Sequence, residues 1–225
     1  MICLVTDRRR LPAGPDAAGR LVHLVAAAAR AGVDLIQVRE RDLGARDLQD
    51  LVRRCVRSVE GTAARVVVND RVDVAVAAGA HGVHLRSDSM PAPAVRSLLP
   101  EGAIVGRSVH RAGEASAVSR EGAVDYLVFG TLFETASKPA EHPLGTLDDL
   151  AAACRAGEQG ATGRVPVLAI GGMTVERAAL AARAGAAGLA AIGLFIPPAG
   201  DDVEQYVHTI VARVRQTFDT CAAVP

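Results

Sequence analysis

The 225-residue chain has few aromatic residues, a single lysine and no net charge. It contains no Trp, two Tyr and four Phe, which excludes an aromatic platform on which nucleic-acid bases could stack. Its 25 basic and 25 acidic residues balance, so charge gives no reason to expect a nucleic acid or a membrane as partner. Lys138 is the one lysine among the basic residues, and it is either a functional residue or a chance occurrence.

Long apolar runs and paired cysteines are also missing. Gly, Arg or Asp interrupts the apolar segments well before bilayer length, which argues against a transmembrane helix. The apolar N-terminal segment is too short for a signal peptide, so we expect a cytoplasmic protein. The four cysteines form no C-x-x-C pair and match no zinc-ligand spacing, so we expect small buried side chains. Half of the residues are hydrophobic, which excludes intrinsic disorder and suffices for one domain spanning residues 1–225.

Short apolar runs alternate with longer amphipathic ones along the whole chain. The apolar runs predict eight β-strands, at Ile2–Val5, Leu35–Val38, Val66–Val68, Gly82–Leu85, Ala103–Val105, Tyr126–Phe129, Val167–Ile170 and Leu189–Ile192. The amphipathic runs predict helices at about 17–31, 45–58, 73–79, 92–99, 113–121, 147–156, 175–184 and 202–218. Strands that are apolar throughout are typical of a parallel sheet covered on both faces.

A weak internal repeat favours a closed barrel. Gly32, Gly79, Gly122 and Gly185 each follow a predicted helix and precede strands two, four, six and eight, as expected of a glycine just beyond a helix end. A unit that recurs at every second strand indicates a single-domain α/β fold, the (β/α)8 TIM barrel, whose core layers come from alternate strands. An open doubly wound sheet is the competing fold, although no G-x-G-x-x-G follows any strand.

In a TIM barrel the active site lies at the C-terminal ends of the strands. Those ends carry cations, small hydroxyls and glycines here, with few acids. Glycines after strands seven and eight, together with the helix that starts near Thr174, predict a phosphate site. Arg39, Arg41 and Lys138 could neutralise a second anionic group or further phosphate oxygens. The residues alone therefore predict a phosphorylated small-molecule substrate.

Acid/base candidates are fewer. His84 and His110 stand at productive positions, although a lone histidine is more often a hydrogen-bonded structural residue. His142 lies in a proline-rich loop that could form a mobile flap. Asp70 could pair with a nearby arginine or, with a second aspartate, hold Mg²⁺; Asp88 is either that second ligand or a loop residue.

Six motifs, in this order, resemble the thiamine phosphate synthase and TenI superfamily. The resemblance extends from Val5 to about Phe195 and implies the same (β/α)8 barrel. The motifs are Gln37-Val-Arg-Glu-Arg41, Val68-Asn-Asp-Arg-Val-Asp73, Gly82-Val-His-Leu85, Gly106-Arg-Ser-Val-His110, Phe129-Gly-Thr-Leu-Phe-Glu-Thr-Ala-Ser-Lys138 and Ala169-Ile-Gly-Gly-Met173.

The synthase of this superfamily joins a pyrimidine diphosphate to a thiazole phosphate and releases pyrophosphate with Mg²⁺. The resemblance implies that Asp70 binds Mg²⁺. The residues implied to hold the pyrimidine diphosphate are Gln37, Arg39, Arg41, Asn69, Ser108 and Lys138. Those implied to hold the thiazole phosphate are Thr135, Ala136, Ser137, Gly171, Gly172, Ile192 and Gly193.

The sequence departs from the synthase pattern at the second metal carboxylate. Ser89 occupies that position, and Asp88 comes one residue early. Milder departures are Arg41 for a lysine and Ser137 for a threonine, and Gly193 stands where the family has a serine. Other motif details resemble the TenI branch more closely, whose thiazole tautomerases aromatise a carboxythiazole phosphate by moving one proton.

The leading hypothesis from these motifs is a TenI-type thiazole tautomerase, which needs a phosphate site and one acid/base group but no Mg²⁺ or other cofactor. Thr131 stands at the position of the tautomerase histidine, so His84, His110 or His142 would have to replace it. The alternative is a thiamine phosphate synthase, supported by Asn69, Asp70 and Lys138. A third hypothesis is a catalytically weakened barrel that binds a phosphorylated ligand. Alanine-rich outer helices make a homo-oligomer possible.

Overall fold

Eight parallel strands close into a barrel, and a helix follows each strand. The computed structural model of the chain describes residues 1–137, 139 and 141–222. The strands are β1 Ile2–Val5, β2 Leu35–Val38, β3 Arg65–Asn69, β4 Gly82–Leu85, β5 Ile104–Val109, β6 Tyr126–Phe129, β7 Val167–Ile170 and β8 Gly188–Ala191. They pair in sequence order, and β8 closes on β1 with Cys3 opposite Ala190. The predicted (β/α)8 barrel is confirmed.

The helices cover the outside of the barrel. They are α1 Ala17–Arg30, α2 Ala45–Ser58, α3 Val72–Ala78, α4 Ala92–Arg96, α5 Ala112–Glu121, α6 Leu147–Gly157, α7 Val175–Arg183 and α8 Val203–Ala222. Two 3-10 helices that the sequence did not predict, Arg8–Arg10 and Gly193–Phe195, follow β1 and β8. Among the described residues, no helix is both long enough and apolar enough to cross a membrane.

Alternation along each strand divides the apolar side chains between two cores. In β1, Cys3 and Val5 point into the barrel, whereas Ile2 and Leu4 pack against the surrounding helices. The interior cluster is small because eight tilted strands leave room for only a few layers of side chains. It consists of Cys3, Val5, Leu35, Val67, Tyr126, Val128, Leu168 and Ala190.

The glycine repeat predicted from the sequence is present. The residues that end the helices before the even-numbered strands all have positive φ, a region that favours glycine: Gly32 (93°), Gly79 (68°), Gly122 (66°) and Gly185 (91°). Cys3, Cys55 and Cys154 are buried free thiols, as expected, whereas Cys221 is half-buried.

Strand β5 is longer than its sequence pattern predicts. The prediction ended it at Val105, whereas pairing with β6 continues through Ser108 opposite Val128 and Val109 opposite Phe129. The polar residues Arg107 and Ser108 therefore belong to the strand and not to the following loop, and strand alternation turns Ser108 toward the interior.

Candidate active site

A cavity of about 470 Å³ opens at the C-terminal ends of the strands. It lies where a TIM barrel places its active site. The structure brings most of the predicted site residues to its wall: Gln37, Arg39, Arg41, Asn69, His84, Ser108, His110, Thr131, Thr135, Ser137, Gly171, Gly172, Ile192 and Gly193.

Among the residues that the structure describes, four predicted or candidate site residues do not line this cavity: Ala136, His142, Asp70 and Asp88. Ala136 is exposed and lines a smaller neighbouring pocket, to which His142 also belongs. Asp70 lies beside the cavity and contacts two residues of the β4–α4 loop. Asp88 is exposed and pairs with Arg86. Lys138 lies outside the described residues, so its role stays a prediction.

Three arginines at the cavity have no acidic partner within the described part of the chain. Arg39 and Arg41 follow β2, and Arg10 ends the first 3-10 helix with its guanidinium close to Gly193. Burial, together with repulsion by Arg41, lowers the pKa of Arg39. Asp7 and Glu40 offset this shift only in part, and a bound anion would supply Arg39 with a direct ionic partner.

Glu40 explains why the arginines beside it are unpaired. It is 3% exposed, and its carboxylate accepts a hydrogen bond from the Thr6 hydroxyl at 2.6 Å. The same carboxylate forms an ion pair with Arg8 at 2.9 Å. The Thr6 hydroxyl in turn accepts a bond from the Arg39 backbone N–H at 3.0 Å. The carboxylate therefore holds the ends of β1 and β2 together on the side away from the cavity.

The opposite side of the cavity is built mainly from backbone. Gly171 and Gly172 follow β7 with φ of 105° and 58°, a conformation that few other residues adopt. The Thr174 hydroxyl then caps α7 by accepting a bond from the Arg177 N–H at 3.2 Å. Glycine N–H groups and a helix N-terminus together favour a phosphate. We call this side, with Gly193, the backbone half.

The side formed by the ends of β2, β3 and β4 presents side chains instead. We call it the side-chain half; it comprises the lining residues Gln37, Arg39, Arg41, Asn69 and Arg86, with Asp70 beside them. The Gln37 amide donates to the Asn69 side-chain oxygen at 3.0 Å, which orients both amides. This half carries positive charge and directed amides, a combination suited to a second anionic group.

The donor set around Asp70 fits Mg²⁺ only in a minimal form. Its carboxylate accepts a hydrogen bond from the Ser89 hydroxyl and lies 3.7 Å from Arg86. Among the described residues no cluster of three or more His, Cys, Asp or Glu could hold a metal ion. Mg²⁺ commonly uses one or two carboxylates and takes its other ligands from substrate phosphates and water. One carboxylate and one hydroxyl satisfy that pattern only when a phosphorylated substrate is bound.

The floor of the cavity contains a buried histidine. His84 is 2% exposed and makes side-chain hydrogen bonds with Ser108 at 2.9 Å and Tyr126 at 3.0 Å. Burial lowers its pKa to about 3, so the imidazole is neutral at physiological pH. A histidine with so low a pKa is a weak general base.

His110 at the rim differs from His84 in exposure and bonding. It is exposed, and its Nδ1 lies within hydrogen-bond distance of the Gly130 carbonyl oxygen. Because a carbonyl can only accept, Nδ1 carries the proton and the lone pair of the neutral ring is on Nε2. Neighbouring Thr131 is 7% exposed. His110 is therefore the better placed of the two cavity histidines to move a proton.

Sequence reasoning missed Arg10 and Tyr126. Arg10 belongs to a run of three arginines that begins three residues after β1 ends, and this position near a strand end was a usable signal. Tyr126 lies on β6 two residues before Val128, which lines the cavity. It gave no signal of its own, because an aromatic residue in an apolar strand is typical of a core.

The chain is similar to known proteins of one family. The family model described as thiamine monophosphate synthase matches residues 2–195. The thiamine-phosphate synthase of Roseiflexus sp. (strain RS-1) is 37% identical over 213 residues, which cover 94% of this chain and 85% of the relative. That of Roseiflexus castenholzii is 39% identical over 198 residues, covering 87% and 81%.

A solved structure shares the fold over almost the whole length of both chains. The thiamine phosphate pyrophosphorylase from Pyrococcus furiosus superposes with a TM-score of 0.76 at 26% sequence identity. The match covers 98% of this chain and 96% of that one.

Proposed function

Because the chain belongs to the thiamine monophosphate synthase family, we propose that it is an enzyme of thiamine biosynthesis that joins a pyrimidine diphosphate to a thiazole phosphate. The observation that carries this proposal is that two different sets of groups suited to anions line one cavity. Unpaired arginines line the side-chain half, and glycine backbone with a helix N-terminus lines the backbone half. A reaction between two phosphorylated substrates needs both sites, whereas a tautomerase needs one phosphate site.

The two halves suggest how the substrates lie. The side-chain half would bind the diphosphate through Arg39 and Arg41 and orient the pyrimidine through Gln37, Asn69 and Ser108. The backbone half would hold the thiazole phosphate at Gly171, Gly172 and Gly193, with Thr135 and Ser137 nearby. Lys138 stays in the proposal as a further diphosphate ligand on sequence grounds. Mg²⁺, held by Asp70 and Ser89 together with the substrate, would offset charge on the diphosphate.

The coupling needs orientation and charge stabilisation more than proton transfer. The C–O bond between the pyrimidine methylene and the diphosphate breaks, and the thiazole nitrogen lone pair forms the new C–N bond. Pyrophosphate leaves with the bonding electrons, and Arg39 and Arg41 are placed to stabilise its charge. Holding the nitrogen against the methylene carbon converts a bimolecular reaction into one within a complex. No proton leaves the nitrogen, so Thr131 in place of a base is no obstacle.

A thiazole tautomerase is the second candidate, and the His110 geometry favours it. With Nδ1 bound to the Gly130 carbonyl, Nε2 is free to accept a proton. The replacement of a metal carboxylate by Ser89, and the pairing of Asp88 with Arg86, also suit a reaction without metal.

A two-part turnover assay tests the choice. One part supplies pyrimidine diphosphate, thiazole phosphate and Mg²⁺ and measures thiamine phosphate and pyrophosphate. The other supplies the non-aromatic carboxythiazole phosphate without metal and follows its ultraviolet absorbance. We expect turnover in the first part, reduced by about tenfold or more in Asp70→Asn and little changed in His110→Gln. Aromatisation alone, abolished by His110→Gln, would instead establish the tautomerase, and turnover in neither part would leave a binding protein.

A further inference from the structure

Three neighbouring strands carry a hydrogen-bonded chain that ends at the cavity. In the barrel register, His84 on β4 is opposite Gly106 on β5, which is opposite Tyr126 on β6. The His84 ring joins the Tyr126 hydroxyl through Nδ1 at 3.0 Å and the Ser108 hydroxyl through Nε2 at 2.9 Å. Ser108 and His84 line the cavity, whereas Tyr126 is fully buried beneath them.

Gly106 makes this contact between β4 and β6 possible. A Cβ atom at this position would lie 2.1 Å from Cζ of Tyr126 and 2.5 Å from its hydroxyl oxygen. Without a side chain there, the two rings approach across the intervening strand to 5.5 Å between centroids. The glycine is therefore the feature of the sequence that brings the tyrosine hydroxyl to the histidine.

Counting protons fixes the direction of each bond. The tyrosine hydroxyl has one hydrogen to donate, and within the described residues its hydrogen-bond partner is Nδ1 of His84. A hydrogen left unbonded in a fully buried site is strongly unfavourable, so the tyrosine donates it to this nitrogen. Nδ1 therefore accepts, and the single ring hydrogen is on Nε2.

We propose that Tyr126 and His84 are positioning residues that make Ser108 a hydrogen-bond donor to the bound substrate. The Ser108 oxygen accepts from Nε2–H, so its own hydrogen is directed to the ligand. The site thus favours a ligand atom whose lone pair can accept a hydrogen bond from Ser108. Under the proposed function, on which this part rests, that atom is a pyrimidine ring nitrogen or a diphosphate oxygen.

Nitrogen NMR of the free protein tests the direction of the chain without any turnover. In the full chain labelled with ¹⁵N-histidine, we expect the hydrogen of His84 on Nε2 and that of His110 on Nδ1. His84→Gln identifies the His84 signals by their loss. Tyr126→Phe should lower the Nε2–H population of His84, whereas Tyr206→Phe, at the other tyrosine, should not change it. A wild-type His84 with its hydrogen on Nδ1 would overturn the proposal, whether or not the variants fold.

Ligand titration then identifies the acceptor atom. Inorganic pyrophosphate and the free hydroxymethylpyrimidine are titrated separately into wild type and Ser108→Ala. We expect about tenfold weaker binding of whichever probe places its acceptor at Ser108. If each probe bound wild type and Ser108→Ala with the same affinity, the donor role would be contradicted. The NMR result would be judged independently. Absence of synthase turnover would leave both measurements interpretable, so the two proposals fail separately.

Discussion

The two halves of the cavity differ in the groups that they present to an anion: backbone N–H groups in one half, and side chains in the other. In the backbone half, Gly171 and Gly172 fix the N–H groups by a conformation that glycine adopts readily. In the side-chain half, Arg39 and Arg41 stand on flexible stems, and their direction depends on Glu40 being engaged elsewhere. A rigid half tolerates little change in sequence, whereas a side-chain half can change its residues and keep the barrel.

The departures from the family pattern fall in both halves. Arg41 is in the side-chain half, Ser89 lies beside it at Asp70, and Gly193 stands for a serine in the backbone half. The glycine pair after β7 agrees with the pattern, because almost any side chain there would collide with its surroundings. Because the glycine pair is retained, we expect the departures to affect which anion binds more than whether one binds.

The largest effect on stability and on phosphate binding is expected from Gly171→Ala, which alters the backbone half. The added Cβ would lie 2.4 Å from Cγ2 of Thr131 and 2.8 Å from the backbone N of Leu132, at a φ of 105°. We expect the free energy of unfolding to fall by about 4 kcal/mol from steric overlap and backbone strain together. Chemical denaturation measures this loss, and phosphate titration should show much weaker binding.

Gly163→Ala separates strain from collision. Gly163 also has positive φ, 118°, but nothing lies within 4 Å of the Cβ it would gain. Its loss should be about 2 kcal/mol, from backbone strain alone, with phosphate binding unchanged. Equal losses in the two variants would mean that close packing behind Gly171 does not constrain the phosphate site.

The next effect is expected from Arg39→Gln in the side-chain half. Since Arg39 forms no ion pair within the described residues, its removal should leave the free energy of unfolding nearly unchanged. Removing one charge-assisted contact should raise KM for the diphosphate substrate about tenfold. Arg57→Gln, at an exposed arginine of α2, is the matched control. A large loss of stability with unchanged KM would assign Arg39 to the scaffold.

The fold could be predicted because local signals agree with one another. Apolar runs marked all eight strands, and the glycines with positive φ ended the helices that precede alternate strands. The exception was β5, which continues through Arg107 and Ser108. Polar residues at the end of a barrel strand satisfy the backbone ladder while their side chains serve the site, so hydropathy alone ends the strand too early.

The site could be predicted as a collection of residues but not as a network. The position of a residue at a strand end does not indicate which acidic residue forms an ion pair with which basic residue. Glu40 selects Arg8 over its two neighbours, and Asp88 pairs with Arg86 instead of joining Asp70. Likewise, the choice of which His84 ring nitrogen carries the hydrogen depends on a tyrosine two strands away. Such pairings arise from three-dimensional packing, and composition or spacing does not encode them directly.

The smallest effect sharpens the comparison by removing one cap from the backbone half. Thr174→Ala deletes the hydroxyl that accepts from the Arg177 N–H, and Thr146→Ala deletes the cap at Asp149 of α6, which does not line the cavity. Both variants should lose about 1 kcal/mol of unfolding free energy. Only Thr174→Ala should also weaken phosphate binding, by about two- to fivefold, because Thr174 at the N-terminus of α7 lines the cavity where we propose that the phosphate binds. If calorimetry finds the same affinity in both variants, the helix contributes stability there and the glycine N–H groups bind the anion alone.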